Sequence, residues 1–216
     1  MHTNLTELVF ILDRSGSMEG LEGDTIGGFN AMIEKQKKEV GKAIVSTVLF
    51  DNEREVIHDR VDLQDIRPMT REEYYVRGCT ALLDAVGHAI SHIGNVHKYA
   101  RPEDRPQKTL FVITTDGMEN ASRDYSYDRL KTMIERQKEK YGWEFIFLGA
   151  NIDAVKEAAR FGIRAECTAN YHADSAGTTL VYGAVNDAIC HVRGNTAVLS
   201  DSWKKDIDED YKRRKK

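Results

Sequence analysis

Two carboxylates and three hydroxyls, on three well-separated stretches, are the residues of this chain whose types and spacing suit chemistry. Asp13, Ser15 and Ser17 alternate in Asp13-Arg14-Ser15-Gly16-Ser17, the pattern D-x-S-x-S. Thr80 follows Gly78-Cys79, and Asp116 sits in Thr114-Thr115-Asp116-Gly117. All five present hard oxygen donors. Magnesium takes six oxygens in near-octahedral array and keeps several waters where the protein supplies few. The alternate spacing lets a curling loop turn Asp13, Ser15 and Ser17 toward one point, with Gly16 supplying the turn. Each piece alone has a plainer reading. Asp and Ser cap helices and make turns, Asp116-Gly117 is turn-like, and Thr80 is placed to cap a helix with Asp84 in its first turn. Taken together, the three pieces favour a cation site.

The elements that must position these residues alternate along the chain. Leu8-Val9-Phe10-Ile11-Leu12 is a continuous apolar run ending at Asp13, as expected of a strand covered on both faces. Ala43 to Phe50 and Leu110 to Ile113 read as further central strands, the latter running into Asp116. Asp51-Asn52 reads as a tight turn into Arg54-Glu55-Val56-Ile57-His58, an antiparallel edge strand. Helical spacing links Phe29, Met32, Ile33 and Val40, and a second helix carries Leu82, Leu83, Val86, Ile90 and Ile93. A third contains Leu130, Met133, Ile134 and Gln137, before a strand from Glu144 to Gly149. Ala154 to Phe161 then precedes a short strand Arg164-Ala165-Glu166-Cys167, and Thr179 to His191 closes the domain. The expectation is an α/β fold: a doubly wound, mostly parallel sheet with one antiparallel edge strand and helices on both faces. Ligands bind such sheets beyond the carboxyl ends of the strands. One domain spans 1–200, and the charge-rich tail 201–216 is expected to be solvated or frayed.

Here the residues carry a resemblance. Phe10-Ile11-Leu12-Asp13-Arg14-Ser15-Gly16-Ser17-Met18 resembles the metal-ion-dependent adhesion site of the von Willebrand factor A domain family. Gly78-Cys79-Thr80-Ala81-Leu82 resembles that family's threonine loop, and Thr114-Thr115-Asp116-Gly117 its aspartate loop. The resemblance covers roughly residues 5 to 195, with the three pieces in the family's order. It implies that Ser15 and Ser17 bind Mg²⁺ (or Mn²⁺) directly, and that Thr80 binds directly or through water. Asp13 and Asp116 then supply negative charge, often through bridging water. It also implies an open coordination position, which an acidic residue of a partner protein completes. Met118, Glu119 and Asn120 are expected to support the site from behind.

Composition narrows the function classes. A net charge of −4 offers no concentrated basic surface, so neither nucleic acid nor an anionic membrane is expected as a partner. No apolar run approaches the roughly 20 residues of a membrane span. The opening Met1-His2-Thr3-Asn4-Leu5-Thr6-Glu7 lacks the basic and long apolar stretch of a secretory signal. Cys79, Cys167 and Cys190 are odd in number and far apart. The expected compartment is therefore a reducing cytosol, and the chain resembles an intracellular, stand-alone, bacterial or phage-encoded version of the family.

Other clusters have plain readings. Asp84, His88 and His92 share one helix side and could form a zinc face, but a polar, solvent-facing stripe is favoured. The basic run Lys212 to Lys216 is expected to be neutralised by Asp206, Asp208, Glu209 and Asp210. Cys79 is expected to be a small apolar filler rather than a redox switch. No enzyme activity is expected. The nearest alternative is a magnesium-dependent phosphatase or phosphotransferase of the haloacid dehalogenase type, which needs a carboxylate two residues after the nucleophile. That position is Ser15. Nucleotide binding is disfavoured because neither GxxxxGK[ST] nor a GxGxxG following a strand is present.

Overall fold

The computed structural model describes residues 5–194 and 199–214. Lys215 and Lys216 of the basic run, and the opening stretch 1–4, lie outside them. Six strands form one sheet in the order β3-β2-β1-β4-β5-β6. They are β1 (Leu5–Asp13), β2 (Lys42–Phe50), β3 (Arg54–Asp62), β4 (Lys108–Thr115), β5 (Glu144–Ala150) and β6 (Thr168–Tyr171). All neighbours run parallel except β2 and β3. The reason is visible in composition. Residues 8–12 and 110–113 are almost wholly buried because both sheet faces are covered, whereas the mixed-polarity β3 is largely exposed at the edge.

Helices α1 (Glu22–Gln36), α2 (Leu82–Tyr99), α3 (Tyr127–Tyr141), α4 (Ala154–Arg160) and α5 (Ser175–Gly194) make the crossovers and the closing layer. Helix α1 packs on α5, and α2 packs on α3. The strand order reverses between β1 and β4, whose chains leave the sheet side by side because Leu12 lies opposite Thr114. That crevice is where a doubly wound sheet receives a ligand. Among the described residues no helix is long and apolar enough to cross a membrane.

Three local expectations need correction. Val40 does not belong to the α1 stripe; the helix ends at Gln36 and Val40 is 91% exposed. Arg164 to Cys167 is not a strand, since Ala165–Cys167 forms a 3-10 turn and β6 begins at Thr168. The tail is not frayed. Residues Lys205–Arg214 form α6, which lies against α5 and β6. Its few apolar residues are used fully: Trp203 and Ile207 are buried, and the Trp203 indole N–H donates to the Glu166 carbonyl at 3.0 Å. Of the four acidic residues expected to neutralise the basic run, Asp210 pairs with Arg213 and Arg214, whereas Asp208 and Glu209 pair with Lys204 and Lys205. Ile207→Ala should therefore cost about 2–5 kcal/mol in denaturant unfolding. A change below about 0.5 kcal/mol, the value for an ordinary surface position, would mean that α6 does not dock.

Candidate metal centre

The five candidate residues meet at the crevice between β1 and β4. Asp13 is the last residue of β1, and its carboxylate is tied down twice. Oδ1 accepts from the Ser15 backbone N–H at 2.7 Å, and Oδ2 accepts from the Thr115 hydroxyl at 2.6 Å. The first of these bends the chain back, so that Ser15 and Ser17 face the same space, with their Oγ atoms 3.2 Å apart. Thr80 Oγ1 donates to Ser15 Oγ at 3.1 Å, and Ser17 Oγ donates to Asp116 Oδ1. Five oxygen-bearing side chains from three loops thus form one connected group.

The capping readings of Ser15 and Thr80 fail on geometry. Ser15 precedes the 3-10 turn Gly16–Met18 without a side-chain cap bond. At the start of α2 the cap residue is Ala81, and Glu119 and Ser122 accept from the Leu83 and Asp84 N–H groups instead. Both hydroxyls are thereby left for another use. Asn120 holds Thr80 from behind: its side-chain oxygen accepts from Thr80 N–H at 2.9 Å, and its own N–H donates to the Thr80 carbonyl. Of the three residues expected behind the site, Asn120 alone touches a candidate ligand; Glu119 instead accepts from the Leu83, Ala121 and Ser122 N–H groups, and Met118 is 68% exposed. Gly117 permits the close approach, because a Cβ there would stand only 3.2 Å from Thr80 Oγ1 and 3.3 Å from Ser17 Oγ.

Asp13, Ser15, Thr80 and Asp116 are buried, whereas Ser17 is exposed, so the group opens to solvent on the Ser17 side. One atom tests whether a cation belongs here. Asp116 Oδ2 is buried with no hydrogen-bond partner among the described residues, a costly state for a carboxylate oxygen. Neutral hydroxyls beside a carboxylate with one unpartnered oxygen form the hard-oxygen donor set that Mg²⁺ and Mn²⁺ take. The residues fit the ion.

Burial, with the nearby Asp13 charge, pushes the Asp116 carboxyl up to about 6; burial also raises that of Asp13. The sign of the consequence follows from linkage. Between about 4 and 6 the folded state holds a proton on Asp116 that the unfolded chain has released. Metal-free stability should therefore fall as pH rises through that window, by on the order of 2–3 kcal/mol. A cation competes with the same proton, so metal affinity should rise over the same range. Melting curves in chelator from pH 4 to 7.5 check this; stability rising steadily with pH would contradict it.

The remaining candidates separate. The Asp84 carboxylate accepts backbone N–H bonds from Arg123, Asp124 and Tyr125. His88 pairs with Asp124 and His92 with Asp59, each at 2.8 Å. Each member of the proposed zinc face has its own partner, and among the described residues no three His, Cys, Asp or Glu side chains gather as metal ligands. Cys79 is exposed, so the filler reading was wrong. Its neighbour Gly78 has φ +67, and a Cβ there would come within 2.0 Å of the Asn52 side-chain oxygen; that packing leaves Cys79 pointing outward.

Three buried residues around the site are not foreseen in the sequence. Arg14, the variable position of D-x-S-x-S, is 0% exposed, and Asp51, read as an ordinary turn residue, is buried beside it with a 2.9 Å ion pair between them. Tyr74, also fully buried, donates its hydroxyl to the Asp13 carbonyl. An arginine after a strand gives no sign of its burial. The available signal was the repeated "apolar strand, then Asp" at Phe50-Asp51, which parallels Leu12-Asp13.

No family model and no curated protein sequence matches the chain. Solved structures do match. Proximal thread matrix protein 1 from the mussel byssus, in a structure with a zinc-occupied MIDAS motif, superposes with a TM-score of 0.59 at 14% identity, over 88% of this chain and 47% of that one. A second crystal form of the same mussel protein gives 0.57 at 12% identity, over 88% and 47%. The von Willebrand factor type A protein from Catenulispora acidiphila gives 0.59 at 15% identity, over 86% and 42%. This chain thus spans less than half the length of the structures it matches. Identities this low speak for architecture alone, and together with the sheet order and the antiparallel edge strand they show that the fold of this chain is that of a von Willebrand factor type A domain.

Proposed function

We propose that this chain is a metal-dependent protein-binding module without catalytic activity. Ser15, Ser17 and Thr80 supply neutral oxygen ligands to one Mg²⁺ or Mn²⁺, and Asp13 and Asp116 supply the charge. The observation that carries this reading is the unpartnered, buried Asp116 oxygen beside three linked hydroxyls that open to solvent at Ser17. The zinc-occupied motif in the mussel protein supports it by analogy of fold. When bound, the cation offers an open coordination position to an acidic residue of a partner protein. The chain's own part is to hold hydroxyls rather than carboxylates around it, so that its positive charge is not cancelled.

Catalysis of the haloacid dehalogenase type would lack its general acid/base. The atom two residues after Asp13 is a serine hydroxyl engaged with Ser17 and Thr80, which does not serve as general acid or base at neutral pH. We include a reducing, cytosolic compartment in the proposal, in keeping with three free cysteines. The test is affinity capture with the tagged chain in Mg²⁺, in EDTA, and in EDTA with Mg²⁺ restored, run beside a phosphate-ester assay. A partner retained only with metal, and no metal-dependent turnover, is the expected result. Turnover that disappears in Asp13→Asn would overturn the reading.

A further inference from the structure

The turn between β2 and β3 ties two of the three metal-site loops together. Asp51 Oδ2 accepts from Arg14 Nε at 2.9 Å and from Arg77 Nε at 2.8 Å. The Asp51 carbonyl accepts from Ala81 N–H at 2.8 Å. Between the loops themselves, Arg77 N–H donates to the Arg14 carbonyl at 2.9 Å, and Gly16 N–H to the Gly78 carbonyl at 3.2 Å. One buried residue therefore grips the chain between Asp13 and Ser15, and also grips it on both sides of Gly78-Cys79-Thr80.

Structural need explains the Arg14–Asp51 pair, because a fully buried guanidinium requires a carboxylate. It does not explain Arg77. That side chain is 42% exposed, and the Asp51 carboxylate it reaches already has the buried Arg14 guanidinium as its counter-charge. What Arg77 does is restrict the segment three residues before Thr80. A neutral hydroxyl is a weak ligand, and it counts only when it is held in place before the ion arrives.

We propose that Asp51 and Arg77 form a clamp that positions the Thr80 hydroxyl, so that cation affinity depends on two residues that do not touch the cation. The inference rests on the metal reading above. Arg77→Gln should weaken Mn²⁺ binding about tenfold, the usual effect of losing a support behind a ligand, while the melting temperature in EDTA stays nearly unchanged. Arg77→Lys should recover part of the loss, since it keeps the charge on Asp51 but gives up the second contact to Glu53. In a Thr80→Ala background, which leaves the other four ligands, Arg77→Gln should have no further effect, because the clamp acts through Thr80. Calorimetric Mn²⁺ titration of the full chain reads all of these. Unchanged affinity in Arg77→Gln, or an equal loss with and without Thr80, would overturn the clamp. Asp13→Ala separates the two ideas: unchanged affinity there would overturn the metal reading itself, whatever Arg77 does.

Discussion

Asp116→Ala and Asp13→Ala should each abolish Mg²⁺ and Mn²⁺ binding, and should shift the metal-free melting temperature in opposite directions. Asp116 holds a buried oxygen with no partner, and its carboxyl is pushed up to about 6, so ionising it at neutral pH strains the metal-free fold. Removing it relieves that strain at little cost, because its hydrogen-bond donor, Ser17, is exposed and turns to water. Asp13 is different. Its carboxylate satisfies the Ser15 N–H and the buried Thr115 hydroxyl. Losing it leaves the Ser15 N–H unpaired, at about 1–3 kcal/mol, and takes from the Thr115 hydroxyl its shorter bond, leaving it the Gly117 carbonyl at 3.2 Å. Calorimetry in chelator should show Asp116→Ala melting above the wild type and Asp13→Ala below it. Equal destabilisation by both would mean that the two carboxylates are structural and were never waiting for a cation.

Ser17→Asp should separate metal affinity from partner binding. Ser17 Oγ already bonds Asp116 Oδ1, so a carboxylate there faces Asp116 across an open, partly solvated gap. At that range like charges repel by on the order of 1–4 kcal/mol between bulk water and a protein surface. The metal-free protein should lose stability, and Mg²⁺ should restore it by binding more tightly. A cation carrying an extra protein charge attracts an outside carboxylate less, so capture of the partner should fall. Tighter metal with undiminished partner binding would show that the partner does not use the metal.

Much of this was legible in the sequence because the strands are pure and the candidate ligands sit where they stop. Leu8 to Leu12 reads as a doubly covered strand, and Asp13, Thr80 and Asp116 each stand beside a strand end or helix start. The antiparallel edge strand was visible in the mixed polarity of Arg54 to His58. The misses share a cause: they depend on partners distant in the chain. Arg14 is buried only because Asp51 arrives from another loop, 37 residues away. The charged tail folds because Trp203 and Ile207 find β6 and α5, which no local periodicity announces. Cys79 looked like filler because cysteines favour interiors, but Gly78 packs on Asn52 and turns it outward. The start of β6 was misplaced because Ala165 to Cys167 has the composition of a strand and the hydrogen bonding of a turn.

The central claim is that Asp13, Ser15, Ser17, Thr80 and Asp116 hold one divalent cation. Anomalous diffraction from crystals soaked in Mn²⁺ tests it most directly. The account predicts a single strong peak among the Ser15, Ser17 and Thr80 hydroxyls beside Asp116, absent from crystals of Asp116→Ala. A peak on the His88–His92 side of α2 instead, or none at the β1–β4 crevice, would contradict it.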